Sequence, residues 1–415
     1  MDALRALLGI VVLLGLAFLC SENRPGIRLR PVLGGLVLQL VLALVLIDFP
    51  PSRRVMLLLN HAVDALQAAT DTGTGFVFGY LGGGALPFAE THPGASFILA
   101  FKVLPLVLVI SALSGLLVHW GILQRIMGAF AWLLRGTLGV GGALSLGAAV
   151  HVFVGMVEAP LLIRPWLERM SRGEIFALMS CGMAGIAGTV MVIYAAILGP
   201  VIPDALGAIL SAAIISTPAA LAVAAMMIPF EAAPDDESKL MLPHAPSGAL
   251  DAIVRGTADG VGPLVGIATM LIVAVALVAL VNMGLGQLPD VMGEAITLER
   301  LAALPFRPVV WLIGVPWGES AAAAGLMGTK TILNEFVAYL HLASLPVETL
   351  SAKSRLIMTY ALCGFANLGS VGILVGGMGA MVPERRSEIT ALGMRSLLSG
   401  TIATCLSGAW AGILG

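Results

Sequence analysis

The chain has 415 residues, 59% of them hydrophobic and only 11% charged, with a mean hydropathy of +1.01. That balance excludes a soluble globular protein, and recurrent apolar runs of about 20 residues predict an all-α polytopic membrane protein. A formal net charge of −2 supplies no basic surface, so no nucleic-acid partner is expected.

The first span is expected over about residues 3–20 as a retained helix; its end, Leu19-Cys20-Ser21, lacks the small residues of a cleavage site. The second covers about 31–49. Arg24, Arg28 and Arg30 between them argue for a cytoplasmic loop and an outside N-terminus, which Arg53 and Arg54 weaken. Residues 52–72 alternate Leu57, Leu58, Val63 and Leu66 with Asn60, His61, Asp64 and Gln67, the pattern of an interfacial helix. The Gly-rich stretch 73–84 lacks the Lys-Ser/Thr of a phosphate loop and reads as a tight bend. Span three follows at about 97–119, an interfacial stretch at 121–135, and a Gly/Pro-broken segment at 138–169. Spans four and five are expected at about 175–199 and 204–229, then a polar linker at 230–250 whose acidic run (Asp235, Asp236, Glu237) reads as a solvated loop. Span six covers about 260–283, a second broken segment 305–345, span seven about 355–380 and span eight about 389–414.

A motif pair occurs twice. Val157-Glu158-Ala159-Pro160 precedes Cys181-Gly182-Met183-Ala184, and Asn334-Glu335-Phe336-Val337 precedes Cys363-Gly364-Phe365-Ala366. Each copy sets one carboxylate in a broken apolar stretch, then a Cys-Gly-x-Ala that reads as a helix start. Intramembrane charge costs several kcal/mol unless it faces protein or water, and duplicated broken spans mark a carrier's central binding site. If the second broken segment is re-entrant, spans four and seven run antiparallel and the copies form inverted repeats. The expected organisation is N-terminal transmembrane helices (1–50), an interfacial helix with a scaffold span (52–135), a first transport repeat (138–229), the linker (230–250), a second scaffold span (251–304) and a second transport repeat (305–415).

Asn367 and Ser370 offer amide and hydroxyl groups to a polyol. His151, seven residues before Glu158, is placed about two helical turns from it and titrates near neutrality when unperturbed. Lys330 and Arg164 read as anchors at segment ends, and Glu319 and Ser320 as caps of the helix after Pro316-Trp317. The cysteines Cys20, Cys181, Cys363 and Cys405 lack metal-ligand spacing and read as packing residues. There is no His-Glu-x-x-His, no Gly-x-Ser-x-Gly and no Walker-type loop, so neither an enzyme nor a cofactor is expected.

At these residues the chain resembles the concentrative nucleoside transporter family. The likeness lies in Gly-Thr-Lys-Thr-Ile-Leu-Asn-Glu-Phe-Val-Ala-Tyr (328–339), Tyr-Ala-Leu-Cys-Gly-Phe-Ala-Asn (360–367), Gly377-Met378-Gly379-Ala380 and Pro383-Glu384-Arg385-Arg386. It continues at Phe101-Lys102-Val103-Leu104-Pro105, Glu158-Ala159-Pro160 and Ser216-Thr217-Pro218-Ala219-Ala220, and covers roughly residues 70 to 415. The resemblance implies a homotrimer of about eight spans and two re-entrant hairpins, carrying nucleosides by sodium or proton symport. It implies that Glu335, Asn367 and Ser370 hold ribose, that Phe365 lines that pocket, and that Glu158 and Val190 lie near the base. Where relatives commonly read Gly-Gln-Thr-Glu, this chain has Gly155-Met156-Val157-Glu158, so the side chains that read a base edge are replaced by Met156 and Val157. His151 and Gly185 stand where sodium-using relatives carry Asn and Ser; without those oxygen ligands, proton coupling through His151 or Glu158 is expected. The expected function is therefore an inner-membrane, multi-pass nucleoside:proton symporter. The alternatives are a sodium-coupled carrier of another ribosyl or small polar solute and a non-transporting receptor or scaffold.

Overall fold

The structure, a computed structural model, describes residues 2–90, 96–231, 247–291, 293 and 295–415. The acidic run at 235–237 lies outside the described residues. The chain opens with α1 (Asp2–Leu19) and α2 (Leu29–Ala43), the latter continued by a π-turn to Asp48. The amphipathic α3 (Pro50–Phe78) comes next; the glycine-rich bend occurs at Gly79 and Gly83, both at positive φ, which glycine adopts without strain. Then come α4 (Leu99–Lys102), α5 (Leu106–His119) and α6 (Ile122–Leu138). The first broken segment forms α7 (Gly142–His151), α8 (Glu158–Leu162) and α9 (Arg164–Leu167). It is followed by α10 (Arg172–Ala184), α11 (Gly188–Leu198) and α12 (Ala205–Met227). A long helix, α13 (Ala249–Leu285), leads to α14 (Leu298–Leu312). The second broken segment holds α15 (Ser320–Ile332) and α16 (Glu335–Ser344), and the chain ends in α17 (Ala352–Leu362), α18 (Leu368–Met381) and α19 (Arg386–Leu414).

Among the described residues, six helical stretches are long and apolar enough to cross a membrane: 29–48, 99–119, 172–198, 205–227, 249–285 and 383–414. The shorter α1 and the interrupted α17–α18 complete eight spans, and α7–α9 and α15–α16 are the two hairpins. The order of interfacial helix, hairpin, interrupted span and long span occurs once over α6–α12 and again over α14–α19.

One expectation is reversed. Cys-Gly-x-Ala does not start a helix. Cys181 lies in the last turn of α10 and Cys363 follows the last residue of α17, so each motif ends a half-helix. The physical reason is backbone geometry: Gly185 is extended (φ −100°, ψ 173°), and Gly364 has φ 159°. Spans four and seven are thus each interrupted at mid-length. Irregular backbone at that depth is tolerated only where it is buried in protein or lines a cavity.

Side chains set the helix boundaries. Ser171 and Glu174 form a reciprocal capping box at α10, Ser351 caps α17, and Asn334 and Asn367 cap α16 and α18. Glu319 sits at the start of α15 without capping it; its carboxylate accepts from Ser351 N–H at 3.0 Å and tethers the start of α17. The Ser320 hydroxyl donates to Trp317 O.

The interrupted spans form the interior, where α10 packs on α19 and α12 on both α17 and α19. Their small residues let backbones approach closely: a Cβ on Gly400 would stand 2.5 Å from the Met183 Cβ. By contrast the most apolar stretch of α13 presents no buried residue, and the helix packs chiefly on α5. A charge cluster joins the α1–α2 loop to the starts of α10 and α19. Glu22 pairs with Arg172 at 3.0 Å and Arg395 at 2.9 Å, and Arg385 with Glu388 at 2.7 Å.

Candidate substrate site

The breaks converge. The Gly188 N–H donates to Phe153 O at the tip of the first hairpin, and the Phe365 N–H donates to Gly185 O, both at 3.1 Å. Backbone groups that lose helical partners at one break are thereby satisfied by another. Glycine is required for this approach, since a Cβ on Gly364 would lie 2.8 Å from Met183 O.

Glu335 is the first residue of α16 and only 4% exposed. Free N–H groups at a helix start favour negative charge there. The Asn367 amide donates to Glu335 Oε2 at 3.0 Å, while its own Oδ1 accepts from Ser370 N–H at 2.7 Å. Asn367 therefore does two things at once: it caps α18 and donates to the carboxylate. The Tyr194 hydroxyl donates to Glu335 Oε1 at 2.6 Å. Tyr194 lies one turn after Val190 on α11, between the rings of Phe336 and Tyr339. Ser370 is buried and joins the group through its backbone; Phe365 is half-buried beside it.

The first hairpin supplies a less polar wall. Met156 is buried, Val157 packs against Gly377 of α18, and Val190 is buried on α11. Glu158 is exposed and its carboxylate turns back over Gly155.

His151 is 3% exposed, ends α7, and lies against Gly182; its Nε2 has no hydrogen-bond partner among the described residues. The chain from Val152 to Val157 is not helical, so His151 and Glu158 are not two helical turns apart. No hydrogen bond or ion pair joins them among the described residues. Gly185, across the break, faces the His151 carbonyl.

Two expectations fall on Lys330 and Arg164. Arg164 is exposed at the start of α9, as an anchor should be. Lys330 is instead wholly buried: its ammonium donates to Ala361 O at 2.9 Å and Thr404 Oγ1 at 3.3 Å. It stabilises the C-terminal end of α17, where unpaired carbonyls favour a cation. Sequence reasoning overlooked Tyr194. The available signal was a hydroxyl in an otherwise apolar stretch, in a chain with only four tyrosines. A pocket of about 500 Å³ between α14 and the second hairpin, lined by Glu299, Arg307, Thr329 and His341 among others, does not include the Glu335–Asn367 pair.

The sequence matches three consecutive family segments: "Na+ dependent nucleoside transporter N-terminus" over residues 8–81, "Nucleoside recognition" over 100–201, and "Na+ dependent nucleoside transporter C-terminus" over 208–412. It is 34% identical to the putative nucleoside permease NupX of Escherichia coli, covering 99% of each chain. The chain belongs to the concentrative nucleoside transporter family. An uncharacterized transporter of Haemophilus influenzae is 36% identical over 100% of this chain and 98% of its own. Among solved structures, the inward-facing substrate-bound state of CNTnw superposes with a TM-score of 0.90 at 32% identity, covering 100% of this chain and 98% of that one. A substituted CNTnw in an outward-facing state gives 0.88. The concentrative nucleoside transporter fold is thus seen in both orientations of an alternating-access cycle. Family and fold make this chain a multi-pass membrane transporter protein, not an enzyme.

Proposed function

We propose that the chain is an inner-membrane nucleoside:proton symporter working as a homotrimer. In this reading Glu335, Asn367 and Ser370 hold the ribose and Phe365 lines its pocket. Val190, Met156, Val157 and Glu158 lie about the base. The observation that carries it is the Glu335–Asn367 pair, buried where the second hairpin meets the break of span seven. A buried carboxylate is costly to keep even when hydrogen-bonded, and vicinal hydroxyls are suited to a carboxylate beside an amide. In this reading the transport units are the two repeats, 138–229 and 305–415. The exposed apolar faces of α5 and α13 suit a scaffold between protomers and lipid.

Proton coupling rests on His151 and Gly185. Imidazole nitrogen and a glycine replace two side-chain oxygens that a hard cation would want. His151 and Glu158 are the groups assigned to the proton; since they do not touch, each is tested separately. The sodium reading draws support from the "Na+ dependent" description of the matching family. Counterflow and uptake in proteoliposomes with a nucleoside panel decide between them. The proposal expects accumulation driven by an inward proton gradient without sodium, and lessened proton dependence in His151→Asn or Glu158→Gln. Uptake that requires sodium and ignores a protonophore at clamped potential would establish the sodium reading. Absence of any nucleoside counterflow would remove both.

A further inference from the structure

We propose that Tyr194 is a positioning residue of the nucleoside site, whose hydroxyl fixes the Glu335 carboxylate so that its remaining acceptor capacity is held ready for the hydroxyls of a ribose. The inference rests on the ribose reading above. Tyr194 is 1% exposed and Glu335 4%, and their 2.6 Å contact is short, as expected when the acceptor is charged.

An ionised carboxylate offers about four acceptor sites on its two oxygens. Tyr194 takes one on Oε1 and Asn367 one on Oε2. The Glu335 backbone N–H is a third donor at the carboxylate, so part of its acceptor capacity, and not all, is left for ribose hydroxyls. Neither side-chain donor can leave easily. Asn367 is held because its Oδ1 accepts from Ser370 N–H, so turning the amide over would lose the cap of α18. Tyr194 is held by the rings of Phe336 and Tyr339, at centroid distances of 5.8 and 4.9 Å. Tyr194 also belongs to the first repeat and Glu335 to the second, so the bond ties α11 to the second hairpin. A sugar lacking one hydroxyl leaves a carboxylate site unpaired in a buried setting, and that penalty is the source of discrimination.

The test is a double-mutant cycle in proteoliposomes with matched pairs, uridine with 2′-deoxyuridine and adenosine with 2′-deoxyadenosine. Tyr194→Phe keeps the ring and removes the hydroxyl. It should raise KM for the ribonucleosides about tenfold, leave maximal rate within about twofold, and narrow the preference for ribose over deoxyribose. Glu335→Gln should weaken binding by itself, and the double variant should be no weaker than Glu335→Gln, because the hydroxyl acts only through that carboxylate. A Tyr194→Phe protein with lowered maximal rate or yield but an unchanged ribo-to-deoxy ratio would show a merely structural tyrosine and overturn the inference. Additive effects in the double variant would do the same. If Glu335→Gln itself leaves uptake unchanged, the ribose reading falls and this inference with it. If Glu335→Gln weakens binding while Tyr194→Phe changes neither affinity nor ratio, this inference alone falls.

Discussion

Glu335→Gln is the most informative single change, because the structure sets its cost in two separable parts. In the bound state the variant loses a charge-assisted acceptor for a ribose hydroxyl, worth about 1.5–3 kcal/mol, or roughly 10- to 150-fold in affinity. In the free state the new amide faces two donors, the Tyr194 hydroxyl and the Asn367 amide. With its oxygen towards Tyr194, its NH2 opposes the Asn367 NH2. Turned over, it satisfies Asn367 but leaves the Tyr194 hydrogen without an acceptor. Asn367 cannot flip to help, since its Oδ1 holds Ser370 N–H. Either orientation orphans one buried donor at about 1–3 kcal/mol. The variant should therefore both bind nucleoside more weakly by calorimetry on purified protein and melt at lower temperature without ligand. Unchanged affinity would remove Glu335 from the site. Weakened affinity with unchanged melting would contradict the hydrogen-bond assignment to Tyr194 and Asn367.

Three further outcomes are expected. Met156 and Val157 give the base edge no side-chain donor or acceptor, so competition among nucleosides should be broad and free ribose should compete poorly; a thousandfold preference for one base would refute this. Gly364→Ala would press a Cβ to 2.8 Å from Met183 O and 3.0 Å from Ala184 O, backbone atoms at the other break, and should destabilise the protein by about 1–3 kcal/mol in a melting experiment. Glu22 lies in the α1–α2 loop, where its bond to Arg172 holds its carboxyl below the usual carboxylate value despite partial burial. That stabilisation is complete above the unfolded value near pH 4.5 and is lost as pH falls through the lower folded value. Glu22→Gln should therefore cost about 1 kcal/mol or less at pH 7 and flatten the acid limb of the stability profile.

The spans, hairpins and repeat were legible in the sequence because the bilayer imposes its own length and polarity on the chain. A lone Glu335 in an apolar stretch announces itself, since membrane charge is rare and expensive. The same reasoning misread Cys-Gly-x-Ala: glycine marks a change of backbone direction without saying whether a helix begins or ends there. It also placed Lys330 at a segment end, because snorkelling is the usual fate of such a lysine. Only the fold supplies the Ala361 carbonyl and Thr404 hydroxyl that let its ammonium stay buried. The separation of His151 from Glu158 was likewise invisible, as the intervening residues leave the helix. Tyr194 and Glu335 are 141 positions apart, and no local pattern links them. Local chemistry determined which residues cannot face lipid; tertiary structure decided which of them meet, because hydrogen bonds reach only about 3 Å while the chain that brings them together is folded over its whole length.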